Sequence, residues 1–576
     1  MNRKVELLAY IDHLGDCYTR AESLCPNLLA EPRQRFEERS EPLRENVADL
    51  ELVVPVIGGF SAGKSTALNT LLGANILPVK VTAETAIPAE LRHGSNERIV
   101  AETIDGSAEK HPVTALPELS TRAEHYDVVK LYLDRPFLRE FEAFTLVDMP
   151  GFDSPLAAHE RAILRYLGRG AHYLYLVSVT DGGLRREDLR RIEEILATGK
   201  SVDVLLTKLD LVPPSEADKV EEFMIGQLVG LTGKESRIYR ITDEDASALR
   251  NLLGAADPDR LFDQLCLNPV RDLYFQMNAG LRQAIAALRK SQEDSDVELQ
   301  ELEKARRSLL SERENQVETI GNSLGMRAGD RISARLETAL QGEIEYLATA
   351  ARQGEEGLHR AVSEIVRATL VKELSELAGA LSTNIVRSCA DQIDPTLRTQ
   401  IHLGEDWMRI AIESLEQQLL YSLVSAVPGG PSDKTSVGVA GSLSALALLV
   451  PHPVVRIVLA ALPGLIGALF VAGQEQRQRA QLREAVSTQV IPSVVRQVRP
   501  EIERAIDGLI TEGSDAVNTR FQQRIDEQET MLRRAQSAHE TRAGEWEAAA
   551  NSLKLLIDEV DALTTKTLHR EPAHEA

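Results

Sequence analysis

A glycine-rich segment early in the chain reads Gly58-Gly59-Phe60-Ser61-Ala62-Gly63-Lys64-Ser65-Thr66. It fits the phosphate-loop pattern G-x-x-x-x-G-K-[ST], in which glycines let backbone N–H groups turn inward around a polyphosphate. Residues 52–57 before it form a short apolar run that predicts a buried strand, and residues 67–73 after it have helical spacing and end in glycine. Strand, glycine loop and helix are the context that this pattern requires, because the helix N-terminus adds a dipole that favours anions. The segment therefore predicts an α/β fold that binds a phosphorylated ligand.

Side chains of this loop have predicted roles of their own. Lys64 would reach the β- and γ-phosphates of a nucleotide, and the Ser65 hydroxyl would ligate Mg2+. The predicted phosphate contacts of the loop as a whole come from Gly58, Ser61, Ala62, Gly63, Lys64, Ser65 and Thr66.

A second motif, Asp148-Met149-Pro150-Gly151, ends the apolar run 144–148 and fits D-x-x-G. Asp148 can hold the Mg2+ shell through water, and the Gly151 N–H can meet the γ-phosphate. Taken alone the pattern is weak, but its position after a phosphate loop and at the end of a strand gives it weight.

A third motif, Thr207-Lys208-Leu209-Asp210, ends the buried run 202–206 and fits T-K-x-D. The Asp210 carboxylate can accept two hydrogen bonds from N1 and N2 of guanine, which adenine cannot donate, and the Lys208 stem would lie along the base. The three motifs in this order predict a guanine-nucleotide site. A degenerate domain that binds the nucleotide without turning it over stays open as the alternative.

Composition limits the classes of partner. The chain has 576 residues and a net charge of −23, which argues against nucleic acid as the main partner, since phosphate backbones need a basic face. Aromatic residues are only 4%, which is typical of long helices and coiled coils.

The four cysteines are scattered, with no C-x-x-C and no histidine at metal spacing, and so predict reduced, mostly buried thiols of a cytoplasmic protein. The N-terminus has an amphipathic pattern and not that of a signal peptide.

The pattern along the chain predicts a doubly wound, mostly parallel P-loop sheet followed by a long all-α bundle with an apolar hairpin tip. Residues 1–48 are predicted as helices with a break at Pro26, and residues 49–265, the head, alternate strands and helices. Residues 266–430 and 476–565, the trunk, have helical spacing, residues 431–475 are the hairpin, and residues 566–576 are a disordered tail. The predicted strands are 52–57, 87–93, 97–103, 128–133, 143–148, 171–178, 202–207 and 237–241, and predicted head helices include 157–168, 184–197 and 215–231.

The hairpin consists of two uncharged arms, 435–455 and 457–473, which Pro451-His452-Pro453 and Arg456 interrupt. Each arm is short for a span of about 20 apolar residues. Three interpretations are open: a two-span membrane anchor, a buried structural hairpin, and a tip that inserts reversibly into a membrane. The third is favoured because such an apolar hairpin in an acidic chain is hard to explain by packing alone, and nearby arginines can meet anionic headgroups.

These residues together resemble bacterial dynamin-like proteins, which are large membrane-remodelling GTPases. The phosphate loop, Asp148-Met149-Pro150-Gly151 and Thr207-Lys208-Leu209-Asp210 all look like the dynamin forms, and so does Thr82-Ala83-Glu84-Thr85-Ala86-Ile87-Pro88, where the switch threonine falls on Thr85. Among bacterial members, the chain most resembles the group associated with the labile enterotoxin output protein A.

The resemblance implies an enzyme that converts GTP and water to GDP and phosphate with Mg2+, and that couples hydrolysis to trunk movement. Ser65 and Thr85 would ligate the metal, with Asp148 acting through water, and the catalytic residues would be Ser61, Lys64, Thr85 and Gly151. It also implies self-association through heads and trunk, membrane lipid bound by residues 435–473, and a cytoplasmic protein peripheral to the inner face of a membrane. The N-terminal helix should pack with residues 553–563, and Thr242–Ala246 is the guess for the remaining guanine contacts.

One departure affects the expected turnover. Eukaryotic dynamins carry a glutamine where this chain has Phe60, and that glutamine helps to position the attacking water. We therefore expect GTP turnover to be slow or to depend on a second molecule that docks across the nucleotide. Two other classes of function stay open: a regulatory GTPase switch that binds a protein partner, and a nucleotide-bound coiled-coil scaffold with little turnover.

Overall fold

The computed structural model describes residues 2–59, 61–79, 87–151, 162, 165–242, 247–290, 292–425, 475–539 and 543–568. Several expectations lie outside these residues: Phe60, Thr85, the apolar hairpin 435–473, most of the helix predicted at 157–168, and the last part of the tail.

The head is built on one nine-stranded sheet in the order β4-β3-β5-β2-β6-β1-β7-β8-β9. Strands β6, β1, β7, β8 and β9 run parallel to one another, β2 is parallel to β5 but antiparallel to β6, and β3 is antiparallel to both β4 and β5. The mostly parallel sheet is thereby confirmed. The strands are β1 (Leu52–Gly58), β2 (Ala89–His93), β3 (Arg98–Thr103), β4 (Ala108–His111), β5 (Tyr126–Leu133), β6 (Phe144–Asp148), β7 (His172–Ser178), β8 (Ser201–Thr207) and β9 (Ile238–Arg240).

The central strands are buried on both faces, which is why their sequences read as continuous apolar runs. Every residue of β1, β6 and β7 is buried. Strand β4 was not predicted, because its sequence Ala-Glu-Lys-His is polar and mostly exposed and so carries no apolar alternation. The head helices among the described residues are α3 (Lys64–Leu72), α4 (Leu116–Ser120), α5 (Pro136–Glu140), α6 (Arg186–Ala197), α7 (Pro214–Thr232) and α8 (Ser247–Ala255).

Long helices precede and follow the head. The first two are α1 (Asn2–Leu24) and α2 (Pro26–Asp49), separated at Pro26 as expected. After the head come α9 (Pro258–Arg289), α10 (Gln292–Ile320), α11 (Met326–Gly342), α12 (Ile344–Arg352), α13 (Glu355–Asp391), α14 (Pro395–Gln400), α15 (Glu405–Ser425), α16 (Glu475–Ala485), α17 (Ile491–His539) and α18 (Ala543–Leu568). Two helices cross expected domain boundaries: α9 runs without a break across residue 265, and α18 continues through residue 568, past residue 566 where the tail was expected to begin.

Helix α1 packs against α2, α9 and α18, so the first and last described helices of the chain lie side by side. Leu7 and Leu14 of α1 and Leu553 of α18 are fully buried, and the Tyr10 hydroxyl lies 2.7 Å from Thr564 Oγ1. The expected packing of the N-terminal helix with residues 553–563 is confirmed.

All four cysteines are free and buried, but one expectation about them was wrong. His13 precedes Cys17 by one helical turn, and its Nε2 lies 3.3 Å from Cys17 Sγ. A histidine therefore does stand at metal-ligand spacing from a cysteine, because positions i and i+4 share one face of a helix.

The head contacts the trunk through α6, which packs against α13. Glu194 of α6 is 1% exposed and accepts hydrogen bonds from Arg191 Nη1 at 2.6 Å and from Arg367 Nε of α13 at 2.8 Å. We call Arg191, Glu194 and Arg367 the head–trunk ion cluster. At its solvent-exposed rim, Lys372 Nζ donates to Glu193 at 2.6 Å. A buried charged cluster thus joins two parts of the chain that are far apart in sequence.

A second buried carboxylate, Glu90 of β2, lies inside the head. It accepts hydrogen bonds from Arg92 Nη2 at 2.7 Å, the Tyr166 hydroxyl at 2.7 Å and Arg169 Nη1 at 3.1 Å. Burial alone would raise the pKa of this carboxyl, but Arg169 and Arg92 outweigh it and lower the pKa from 4.5 to about 2. Because the pKa is lower in the folded chain, Glu90 stabilises the fold above pH 4.5, and this contribution is lost as the pH falls towards 2.

Replacing Glu90 by glutamine should remove the contribution of this carboxyl to the pH dependence of the free energy of unfolding. From the pKa difference we expect the variant to be less stable by about 3 kcal/mol at neutral pH, with the gap to the natural chain narrowing below pH 4.5. Urea unfolding at a series of pH values measures this, with Glu118→Gln on the exposed side of α4 as the control. A gap that stays constant down to pH 2 would contradict the prediction.

Candidate nucleotide-binding site

The three motifs meet at one edge of the sheet, where the parallel strands β1, β6, β7 and β8 end. Val56 of β1 pairs with Asp148 of β6, Gly58 of β1 pairs with Leu176 of β7, and Ser178 of β7 pairs with Thr207 of β8. The carboxyl ends of parallel strands are where open α/β sheets bind ligands. The register therefore brings the phosphate loop, Asp148 and the residues after Thr207 to a common edge.

The phosphate loop needs glycine at two of its positions. Gly58 has φ of +149°, and a Cβ there would lie 2.2 Å from the Leu176 backbone oxygen, so any side chain would clash with β7. Gly63 has φ of +86° at the N-cap of α3, and Ser61 is also left-handed at +63°. These turns leave Ser61 exposed and start α3 directly at Lys64. The N-terminus of α3 therefore faces the site with its favourable dipole.

Lys64 is buried and its ammonium is held at the loop. Its Nζ donates to Gly58 O at 3.1 Å and to Gly59 O at 2.9 Å. Two backbone carbonyls therefore fix a positive charge beside the N-terminus of α3. A fixed cation beside a helix N-terminus is suited to the phosphates of a nucleotide.

Ser65 and Asp148 form a pair of oxygen ligands beside Lys64. The Ser65 hydroxyl donates to Asp148 Oδ2 at 2.7 Å, and Asp148 is fully buried at the end of β6. Hydroxyl and carboxylate oxygens are the ligands that Mg2+ prefers. The two residues present therefore fit the metal that the sequence implies. Gly151, the last residue of the D-x-x-G motif, is buried and follows Asp148 by three positions in the chain.

The base motif is attached to the phosphate loop by Thr207. Its hydroxyl is buried and lies 2.8 Å from Ala62 O in the loop and 3.2 Å from Val177 O in β7. Lys208 follows in a left-handed conformation, and Asp210 is exposed in the short turn that comes next. The carboxylate proposed to select guanine is therefore open to an incoming base.

Three further residues at this edge of the sheet are Thr66, Thr242 and Ser178. Thr66 lies in the first turn of α3, where its carbonyl accepts from the Thr70 hydroxyl at 3.0 Å. Thr242 follows β9, which is parallel to β8, and so lies at the same edge as Asp210. Ser178 was not proposed, yet it pairs in register with Thr207 and its side chain accepts from the Thr180 N–H at 3.3 Å. The signal that could have found it is a polar residue at the end of a predicted buried strand.

Comparison with known proteins agrees with this geometry. Residues 54–209 match the model of the Dynamin family. Dynamin-like protein 2 of Campylobacter jejuni is 27% identical over 236 residues, which are 38% of this chain and 37% of that protein. A bacterial dynamin-like protein of Nostoc punctiforme is 25% identical over 238 residues, which are 36% of this chain and 34% of that protein. The chain thus matches only about a third of the length of these relatives.

A chain from a solved structure of an oligomerised bacterial dynamin pair, described as sensing and tethering membranes, is also similar. It is 13% identical with a TM-score of 0.37, covering 99% of this chain and 83% of that one. The sequence similarity lies within the head: residues 54–209 match the Dynamin family model, and the chain is similar there to bacterial dynamin-like proteins.

Proposed function

We propose that this chain hydrolyses GTP to GDP and phosphate and uses the reaction to move its helical trunk while bound at a membrane. The observation that carries the proposal is the meeting of Lys64, the Ser65–Asp148 pair and the Thr207–Asp210 turn at one edge of the sheet. Phosphate charge, metal oxygens and a base-selecting carboxylate are the parts that guanine-nucleotide hydrolysis needs.

The residues would act by positioning and charge, with no covalent intermediate on the protein. Lys64 would offset the charge of the β- and γ-phosphates from its place beside Gly58 and Gly59. Ser65 and Thr85 would ligate Mg2+, with Asp148 holding the shell through water. A bound Mg2+ supplies positive charge that further offsets the phosphates. Thr85 and Gly151 would orient the attacking water through backbone groups, and Ser61 would contact the bridging oxygens.

Guanine selection would come from the loop after β8. Asp210 would accept hydrogen bonds from N1 and N2 of the base, and Lys208 would lie along its plane. Because the Thr207 hydroxyl reaches Ala62 O, the base loop and the phosphate loop would be positioned together.

Coupling to the trunk is supported by the head–trunk ion cluster. Helix α6 follows β7, whose end lies at the nucleotide edge, and Glu194 of α6 is bonded to Arg367 of α13. A displacement of α6 during the GTP cycle would reach α13 through a buried charged contact, which transmits motion better than a solvated one.

Membrane binding is assigned to the apolar hairpin 435–473, whose two uncharged arms are separated by Arg456, in a cytoplasmic protein peripheral to the inner face of the membrane. It is supported by the concentration of apolar residues there in an otherwise acidic chain. None of the helices in the described part of the chain is long and apolar enough to cross a membrane. Self-association through heads and trunk completes the proposal.

One observation favours a different function. Phe60 stands where eukaryotic dynamins carry the glutamine that positions water, which favours a nucleotide-bound scaffold or a partner-dependent switch with little turnover of its own. The two proposals differ in the GTP turnover per molecule that is expected at high protein concentration.

The test is GTP turnover per molecule measured against protein concentration, with and without anionic liposomes. We expect the specific rate to rise with concentration or lipid, and Lys64→Ala to abolish it, because removing one such charge donor typically costs about 100- to 1000-fold in kcat. A low turnover rate that does not change with protein concentration, together with intact GTP binding and no pelleting with liposomes, would contradict the membrane proposal. The scaffold or the partner-dependent switch would then be the remaining function.

A further inference from the structure

Three side chains that ligate transition metals meet where α1 packs against α18. His13 and Cys17 lie one turn apart on α1, and Glu559 lies opposite them on α18. Cys17 Sγ is 3.3 Å from His13 Nε2, Glu559 Oε1 is 3.5 Å from His13 Nε2, and Glu559 Oε1 is 3.9 Å from Cys17 Sγ. The donor atoms of one thiol, one imidazole and one carboxylate thus lie close together. None of these three residues belongs to the proposed nucleotide site.

These distances suit a tetrahedral ion. With bond lengths of about 2.3 Å to sulfur and about 2.0–2.2 Å to nitrogen and oxygen, the donor atoms around Zn2+ lie roughly 3.3–3.6 Å apart. The three observed separations need changes of only a few tenths of an ångström. Three protein ligands leave a fourth tetrahedral position for water, and the partly exposed His13 and Glu559 side chains, at 36% and 40%, open that position to solvent.

The donor types decide which ion fits. Thiolate and imidazole select borderline and soft metals such as Zn2+, whereas Mg2+ takes oxygen ligands and keeps its water. We propose that His13, Cys17 and Glu559 form a Zn2+ site that joins the N-terminal helix α1 to the C-terminal helix α18. The site is independent of the proposed GTP hydrolysis, because none of its residues lies at the nucleotide edge.

Binding would release a proton. Coordination breaks the S–H bond of Cys17, forms a Zn–S bond and sends the proton to solvent, while His13 binds through the lone pair of Nε2. The charge of the ion then offsets both the thiolate and Glu559.

Arg20 is a cation beside the cluster that competes with a metal. Its Nη1 donates to Glu559 Oε1 at 2.9 Å and its Nη2 donates to Glu559 Oε2 at 3.1 Å. An ion on Oε1 must displace Nη1 but can leave the Nη2 bond intact. The arrangement therefore predicts that Arg20 weakens the site, so that removing its charge should strengthen metal binding.

The test uses the untagged full chain in excess Mg2+, which occupies oxygen-only sites. Competition with a chromophoric chelator measures Zn2+ affinity, and Co2+ serves as the spectroscopic probe because a Co2+–thiolate bond gives a charge-transfer band. We expect one Zn2+ per chain, a thiolate band with Co2+, and a higher thermal unfolding midpoint when Zn2+ is bound.

Matched variants assign the ion to this cluster. Cys17→Ser and Glu559→Gln should each lower the affinity at least about 10-fold, since even the loss of an outer-shell partner costs roughly 10- to 100-fold. Arg20→Gln should raise it. Cys266→Ser, which alters a buried thiol of α9 that bonds Phe262 O, should leave it unchanged.

The Co2+ spectrum of the natural chain keeps the proposal testable even if a variant folds poorly. Absence of saturable Zn2+ binding, absence of the thiolate band, or an affinity equal in the natural chain and Cys17→Ser would each overturn the proposal. GTP turnover measured on the same samples separates this outcome from failure of the proposed function, since Lys64→Ala should retain the metal.

Discussion

An Asp210→Asn chain is expected to bind GTP about 100-fold more weakly or worse than the natural chain. The carboxylate would accept two hydrogen bonds from guanine, and a hydrogen bond to a charged group contributes roughly 1.5–3 kcal/mol. The amide of asparagine can accept only one of them and turns a donor towards the other. Asp210 is exposed in a turn closed by the Leu211 N–H and Lys208 O, so the substitution should leave the fold intact.

The same variant should gain affinity for xanthosine triphosphate, whose base carries a carbonyl where guanine has its amino group. Fluorescent-nucleotide titration with both triphosphates measures the exchange of preference. Glu216→Gln removes an equal charge from the first turn of α7 and should change neither affinity. Unchanged GTP binding by Asp210→Asn would show that the loop after β8 does not read the base.

Replacing Glu194 by glutamine is expected to destabilise the chain by about 3–5 kcal/mol. The change keeps the shape of the side chain but removes the negative charge that Glu194 places beside the buried Arg191 and Arg367, and removing one partner is the costly way to break a buried ion pair. Burial raises the pKa of Glu194, but Arg367 and Arg191 outweigh it and hold the pKa below its usual range. The ionised form is thus the one that the fold stabilises, and the loss should be full at neutral pH and shrink in acid.

Lys372→Gln provides the control at the same interface. Its partner Glu193 and the lysine itself are both partly exposed, at 38% and 42%, so this pair should contribute less than about 1 kcal/mol. Urea unfolding of the three chains gives the comparison. Equal losses from Glu194→Gln and Lys372→Gln would mean that α6 is not anchored to α13 by the buried cluster.

The parts of the fold that the sequence predicted are those whose signal is local. Strands β1, β6 and β7 are buried on both faces, and so is the second half of β8, and these residues therefore appear as apolar runs. Strand β4 is polar and exposed, so periodicity could not find it. The continuous helix α9 across residue 265 was not predicted, because a helix shared by head and trunk shows no change of composition where the two meet.

For the candidate site, the phosphate loop was predictable because backbone geometry demands glycine at Gly58 and Gly63. The bond from Thr207 to Ala62 O was not, since it joins residues that are 145 positions apart. The head–trunk ion cluster was missed for a similar reason: Glu194 and Arg367 are 173 positions apart, and charged residues are by default solvated. The cluster of His13 and Cys17 with Glu559 was missed because the four-residue spacing of His13 and Cys17 was wrongly excluded as metal-ligand spacing, and because Glu559 is 542 positions from Cys17.

The two edges of the sheet have a consequence for how copies of this chain can meet. Edge strand β4 exposes Glu109 and Lys110, and edge strand β9 is only three residues long, with Arg240 bonded to Glu221 and Asp218 of α7. Charged or very short edges resist pairing of strands between molecules. Any filament or ring of this protein would then be built from side-chain surfaces, which salt or a single substitution can loosen, and its heads would be protected from the irreversible cross-β stacking that open edges invite.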